Sequence, residues 1–296
     1  MDRLKEKLVN LKHSSWLITY IWYLINKPRY SFKNKKIMHG AEKRASGVLY
    51  DQYEWIHQLK QSHVGDRCFI VATGPSLTIA DLEKLYGEFT FGMNSICKIY
   101  SQTSWRPTVY AIQDENVYKS MEADILKWYA GQNNIWISDL IANNFKVPGN
   151  YRQFPLNRAY HDNELELRKF FVQFSDDCYS IVYDGYSITY SLIQFAIYMG
   201  FSEIYLLGAD CSYKLGEKNH FVESGFIDKY AHCSYDRMMS GYIKAKEYSD
   251  KNNIKIVNCT RGGMLELFPR CTLEEVLLSS PNSSTYMKEK GEFLYE

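Results

Sequence analysis

Residues 68–78, CFIVATGPSLT, set the terms for the rest of the chain. A short apolar run (Phe69-Ile70-Val71-Ala72) stops at Gly74-Pro75-Ser76, and a helical pattern follows from Leu77 to Tyr86. That order predicts a strand, a tight glycine turn and a helix. Glycine reaches backbone angles closed to other residues, and its missing side chain lets a ligand come close to the backbone. Ser76 sits where an N-cap belongs, with Asp81 and Glu83 in the early turns. Free N–H groups at such a helix start suit an anion, typically phosphate. Many α/β proteins carry a glycine at a strand–helix junction, so this turn alone does not establish nucleotide binding.

The downstream pattern repeats the same unit. Strand-like runs near 67–72, 89–93, 108–112, 134–138, 203–208 and 254–258 alternate with helical patterns near 77–86, 116–130, 163–174, 187–199, 235–251 and 272–279. Alternation of this kind predicts an α/β fold with a mainly parallel sheet. The strands end in small or polar residues: Thr73-Gly74, Asn94-Ser95, Gln113-Asp114 and Gly208-Ala209-Asp210. Ligands of open α/β sheets bind at the carboxyl ends of strands, so these four clusters are expected to meet in one crevice.

At 296 residues the chain holds one large α/β domain or two modest ones. Its 46% hydrophobic and 23% charged residues are globular, and a net charge of +1 gives no reason to expect nucleic-acid binding. Seven cysteines form no CxxC pair, several of them in apolar runs, which predicts reduced, buried thiols in a cytoplasmic protein. No secretory signal is legible. Charge is uneven, however. Residues 1–36 hold nine basic side chains against Asp2 and Glu6, a net +7, around SSWLITYIWYLIN at 14–26. That run falls short of the roughly 20 apolar residues of a membrane span. Basic flanks with interfacial aromatics fit a helix lying on the inner face of the cytoplasmic membrane, and a helix docked on the domain or on a second subunit fits as well. Residues 37–63 read as a second helix and linker. The expected division is therefore a helical arm at 1–63, a catalytic domain at 64–280 and a polar tail at 281–296.

Several side chains can carry chemistry. Asn94 directly follows an apolar run, and its amide both donates and accepts, as base or ribose recognition requires; it can equally cap a helix. Asp114 can bind a ribose hydroxyl or a metal, or cap the helix after it. Ser187 and Thr189 open a helix with a clean apolar face, and their hydroxyls can hold a phosphate or serve as caps. Asp210 ends a very apolar strand. Tyr213 lies just beyond it, then come His220 and His232, and histidine is the usual general base at neutral pH. Arg261 in NCTRGG can pair with a phosphate or carboxylate. There is no D-x-D motif, no GxxxxGK[ST] loop, no G-x-S-x-G elbow and no zinc-like His/Cys spacing.

Taken in order, FIVATGPSL, FGMNS, YAIQDEN, SEIYLLGADCSY, NHF and NCTRGGMLELFPRCTLEEVL resemble the Maf/MptE-like domain, the group that includes the Maf flagellin glycosyltransferases. More distantly, the same segments are similar to the bacterial CMP-sialic-acid-dependent sialyltransferases. The resemblance covers roughly residues 66–279. It implies a Rossmann-like, inverting glycosyltransferase with a CMP-activated sugar donor, a glycan or lipid-linked glycan acceptor and no obligatory metal or other cofactor. Gly74, Pro75, Ser76, Asn94, Gln113 and Asp114 would line the nucleotide pocket, with Ser187 and Thr189 near the donor and Arg261 beside it. Tyr213 would stabilise the leaving phosphate, which agrees with the missing D-x-D. Asp210 would stand among the catalytic groups, and a loop histidine would deprotonate the acceptor. The sialyltransferases place that histidine where this chain has Asp236-Arg237, slightly beyond His232, whereas the Maf-like pattern points to His220. The same domain occurs in an archaeal hydroxymethylpterin diphosphokinase, so an ATP- and Mg²⁺-dependent reaction is the alternative. Under it Asp114 or Asp210 would hold the metal.

Overall fold

The computed structural model describes residues 16–129, 134–147, 149–159, 172–212, 220–222, 225 and 234–279. Helix α1 (Trp16–Ala45) leads through a 3-10 turn (Asp51–Tyr53) into the short α2 (Glu54–Leu59). The alternation then begins with β1 (Arg67–Val71), α3 (Ile79–Glu83), β2 (Thr90–Met93), a 3-10 helix (Asn94–Ile99) and β3 (Val109–Ile112). Next come α4 (Glu115–Tyr129), β4 (Ile135–Ser138), α5 (Asp139–Asn144), β5 (Arg152–Phe154), β6 (Leu156–Asn157) and β7 (Val182–Tyr183). The chain closes with α6 (Ile188–Met199), β8 (Glu203–Leu207), α7 (Ser234–Lys251), β9 (Lys255–Asn258) and α8 (Leu273–Leu278).

Seven strands form one sheet in the order β5-β4-β3-β2-β1-β8-β9, every neighbouring pair parallel, and β6 pairs with β7 in a separate two-stranded ribbon. In the register, Ile70 lies opposite Phe91 on one side and Leu206 on the other. A parallel sheet covered on both faces demands strands that are apolar throughout. β1 obeys: Cys68 and Ile70 enter the core shared with α6, while Phe69 and Val71 enter the core beneath α3 and α4. The fold is α/β and Rossmann-like, a parallel sheet flanked by helices with an N-terminal helix. Strand order runs outward from β1 through β5, then returns to the other side of β1 with β8 and β9. The gap between the carboxyl ends of β1 and β8 is thus the switch point at which such sheets bind ligands.

Helix α6 shows how local sequence fixes this geometry. Ser187 caps it by accepting from the Thr189 N–H, Gly200 ends it in the left-handed region at φ 92°, and all twelve residues between are buried. Three expectations are corrected. Thr78, not Ser76, caps α3, because Thr78 and Asp81 form a reciprocal capping box three residues apart. The box bonds the Thr78 and Asp81 N–H groups at the start of this five-residue helix. Residues 16–45 form one helix through Pro28 rather than an arm and a second helix. A proline removes one backbone hydrogen bond, and docking of the segment after it holds the helix in place. The expected helix at 163–174 falls mostly outside the described residues, and 172–174, which are described, are not helical. The tail from 281 onward also lies outside them.

The later part of α1 packs on the β6–β7 ribbon. Buried Arg44 donates through Nε and Nη2 to the Ser180 carbonyl at 2.9 and 2.6 Å, with its guanidinium over the Tyr50 and Tyr53 rings. Asn157 donates to Asn34, and the Tyr183 hydroxyl meets Met38 Sδ. Below this joint, Asp139 accepts from the Tyr53 hydroxyl and the Leu156 N–H, each at 3.1 Å. Burial pushes its carboxyl up to about 6. A folded-state value above the unfolded one means that this group favours the fold below about pH 4 and loses that contribution as pH rises through about 6. Asp139→Asn, which keeps an acceptor for Leu156, is therefore expected to be more stable than the parent at pH 7, by at most about 3 kcal/mol. The gain should vanish near pH 4. Urea midpoints of both proteins across that range test this, and parallel curves would refute it.

Candidate functional site

The switch point is built around a contact between residues 134 positions apart. Asp210, just past β8, accepts from the Ser76 hydroxyl at 2.7 Å and from the Ser76 N–H at 3.3 Å. Gly74 makes that contact possible: a Cβ there would stand 2.0 Å from Asp210 Oδ2 and 2.4 Å from the Gly208 carbonyl oxygen. The space left by its missing side chain is filled by the protein's own carboxylate rather than kept for a ligand. Gly263, at φ 76°, closes over the other side of Asp210, where a Cβ would lie 2.6 Å from the Asp210 carbonyl oxygen, and the Met264 N–H donates to that oxygen. Burial raises the Asp210 carboxyl above the usual carboxylate range, and the two Ser76 bonds offset only part of that.

Arg261 completes this corner. Its guanidinium grips Asp81 with two bonds of 2.7 and 2.6 Å and donates to the Ser76 carbonyl at 2.6 Å. Burial alone would raise Asp81, but Arg261 and Thr78 together hold its carboxyl below the ordinary value. The carboxylate that Arg261 pairs with is thus internal, and the pair clamps the β9 loop onto the loop after β1. The Arg261 side chain remains 54% exposed.

At the end of β2, Asn94 adopts the left-handed region at φ 47°. Asparagine tolerates it better than most residues, and the Asn94 carbonyl is held there by the Tyr110 hydroxyl at 2.7 Å. Its side-chain amide hydrogen-bonds none of the described residues; the cap of the following 3-10 helix is Met93. Two further left-handed non-glycine residues, Tyr186 (φ 61°) and Cys211 (φ 53°), follow β7 and β8. Such backbone positions concentrate at functional sites.

Residues 220–222 strap across these strand ends. The Phe221 N–H donates to the Thr73 carbonyl at 2.7 Å, and the Ser95 hydroxyl donates to the Val222 carbonyl. His220 precedes the residue bonded to Thr73, two positions past the end of β1, and is half-buried. His232 and Tyr213 lie outside the described residues.

The remaining candidates make internal contacts. Asp114 caps α4 by accepting from the Asn116 and Val117 N–H groups at 2.8 and 3.0 Å, and Arg158 stands 3.9 Å from its carboxylate. Gln113 is buried, donating to Asp184 at 3.1 Å and accepting from Ser191 at 2.7 Å. Thr189 is buried with its hydroxyl against Met93 Sδ, and Ser187 is the cap already described. Pro75 rides in the loop between Gly74 and Ser76. The structure therefore brings Gly74, Ser76, Asp210 and Arg261 into one cluster, sets Asn94 at a neighbouring strand end and His220 in the strap, and engages Gln113, Asp114, Ser187 and Thr189 in internal contacts. The sequence reading missed Asp184, which ties the β7 end to Gln113, and the Thr73 and Ser95 contacts of the strap. A polar residue ending a two-residue strand gives no periodic signal.

Fold and site together define an α/β protein whose polar strand ends gather at the switch point of a parallel sheet. The sequence profile of the family described as 6-hydroxymethylpterin diphosphokinase MptE-like matches residues 49–216. That is more than half of the chain, and the chain belongs to this family. Among solved structures, the Maf glycosyltransferase from Magnetospirillum magneticum AMB-1 matches at 14% identity and a TM-score of 0.43, over 76% of this chain and 38% of that one. The chain thus spans well under half the length of that protein. No curated protein matches.

Proposed function

We propose that the chain is a nucleotide-dependent transferase that moves a sugar from a CMP-activated donor onto an acceptor hydroxyl with inversion and without an obligatory metal. The observation that supports this reading is the meeting of the Asn94 amide, the Ser76–Asp210 pair and the strapped His220 at the carboxyl ends of β2, β1 and β8. The Asn94 amide is suited to the base or ribose, and Asp210 to orienting polar groups. His220 is suited to taking the acceptor proton, and Tyr213 to the leaving phosphate. Gly74 and Pro75 would form the floor of the pocket, with Arg261 presenting its exposed edge. An acceptor in a surface glycan, free or lipid-linked, fits such a reaction.

The family's description supports a second reading, transfer of diphosphate from ATP to a hydroxymethylpterin. In that case Asp210 would have to exchange its bonds to Ser76 for Mg²⁺, and Asp114 its capping bonds. Thermal-shift measurements with CMP, UDP, GDP and ATP, each with and without Mg²⁺, separate the two. A ligand at a hundred times its Kd stabilises the fold by about 2.7 kcal/mol, which for a domain of this size raises Tm by roughly 5–10 °C. The expected result is a shift with CMP that does not need metal. A shift confined to ATP with Mg²⁺ would replace the first reading with the second.

A further inference from the structure

Helix α1 has two faces, and the domain uses only one. At 30 residues it is about 45 Å long. Its inward stripe is Tyr30, Asn34, Ile37, Met38, Ala41 and Arg44, where burial recurs at helical spacing. Nothing in the described structure covers the opposite face. Ile21, Ile25, Pro28 and Phe32 follow one another at intervals of four, three and four residues, which puts them on one stripe about half a turn from the docked one. Ile21, Ile25 and Phe32 are 48%, 68% and 76% exposed, with Tyr20 and Leu24 exposed alongside. An apolar stripe of this kind is unstable against water unless something covers it.

Charge indicates what covers it. From Trp16 to Ala41 there is no aspartate or glutamate, while Lys27, Arg29, Lys33, Lys35 and Lys36 are all exposed. The sequence before the helix adds Arg3, Lys5, Lys7 and Lys12. An uncharged, apolar first part followed by a purely basic part is complementary to a surface that is apolar within and anionic at its rim. Among the described residues no helix is long and apolar enough to cross a membrane. We propose that the outward face of α1 lies on an anionic lipid surface, with Ile21, Ile25 and Phe32 entering the boundary between headgroups and chains and the lysines meeting lipid phosphates. The domain then hangs from the inward stripe through Arg44, Asn34 and Met38. Two of their partners, Asn157 and Tyr183, lie on the ribbon that leads into Asp184, which Gln113 ties to the end of β3. This proposal holds for either reaction above.

The test is flotation of the full chain with vesicles of phosphatidylcholine alone or phosphatidylcholine with phosphatidylglycerol. Binding is expected with the anionic vesicles and is expected to weaken as salt rises. Ile25→Glu and Phe32→Glu should each reduce it by roughly tenfold or more without moving the urea midpoint, because both side chains are exposed in the folded protein. Lys33→Gln with Lys36→Gln should reduce it specifically for the anionic vesicles. Equal binding by the parent and the glutamate variants would overturn the proposal. So would failure of the parent to float together with a dimer mass in light scattering that Ile25→Glu abolishes, which would assign the stripe to a second copy of the chain. An adverse result here leaves the nucleotide experiment untouched.

Discussion

Gly74→Ala is expected to cost the fold about 3 kcal/mol or more, enough to unfold most of the population of a marginal domain. The added methyl would stand 2.0 Å from Asp210 Oδ2 and 2.4 Å from the Gly208 carbonyl oxygen. The first contact is with the end of a side chain and can be relieved by rotation, at the expense of the Ser76 bonds. The second is with backbone. Gly74 also donates its N–H to that same Gly208 oxygen at 2.8 Å, so relief requires β1 and β8 to separate where their ladder ends. Urea unfolding should show a lower midpoint with an unchanged slope. The double variant Gly74→Ala with Asp210→Ala removes the nearer obstacle and leaves the backbone one. Only part of the lost stability should therefore return, a coupling that a double-mutant cycle measures. Full recovery would mean that the carboxylate alone excludes a side chain at position 74. A wild-type midpoint in the single variant would show that the two strand ends do not approach as described.

The same corner shows which parts of this protein can be read from the chain. β1, β2, β3, β4, β8 and β9 were legible, because four or five apolar residues bounded by polar ones can hardly be anything but buried strands once they alternate with helices. β5, β6 and β7 were not. Strands of two or three residues such as Leu156–Asn157 or Val182–Tyr183 are too short for any period to register; β5 forms by extending the sheet beside β4, and β6 and β7 pair with each other. The convergence of strand ends was legible for the same reason as the strands: in a parallel sheet, every carboxyl end lies on one edge. What each polar side chain does there was not. Ser76 and Asp210 are far apart in sequence, and no spacing rule joins them, so Ser76 read as a cap and Gly74 as room for a ligand. The true cap, Thr78 with Asp81, carried the T-x-x-D signal in plain view and was obscured by the serine two residues before it. Arg261 read as a partner for a phosphate or carboxylate, and the structure pairs it with the Asp81 carboxylate.

His220→Ala is expected to lower turnover by about 10²- to 10⁴-fold, the usual worth of a positioned general base, while leaving the fold and the nucleotide-induced thermal shift unchanged. The reason lies in how His220 is held. The Phe221 N–H on Thr73 and the Ser95 hydroxyl on Val222 hold the strap through backbone groups of Phe221 and Val222, and both bonds survive removal of the imidazole. The loss should therefore fall on kcat, with KM for the donor preserved. The acidic limb that a histidine base gives a pH–rate profile should also disappear. Asp210→Asn is expected to behave in the opposite way. Both Ser76 groups donate to the Asp210 carboxylate, and an amide can accept through only one of its two ends. The variant should then lose about 1–3 kcal/mol of stability and weaken the thermal shift along with turnover. Release of CMP from a CMP-activated sugar, followed in the parent, His220→Ala, His232→Ala and Asp210→Asn proteins, separates the roles. If His232→Ala alone abolishes turnover, the proton acceptor is His232 and the strap serves only to close the crevice. If neither histidine variant changes the rate, the reaction has no histidine base, and the strapped position of His220 is structural.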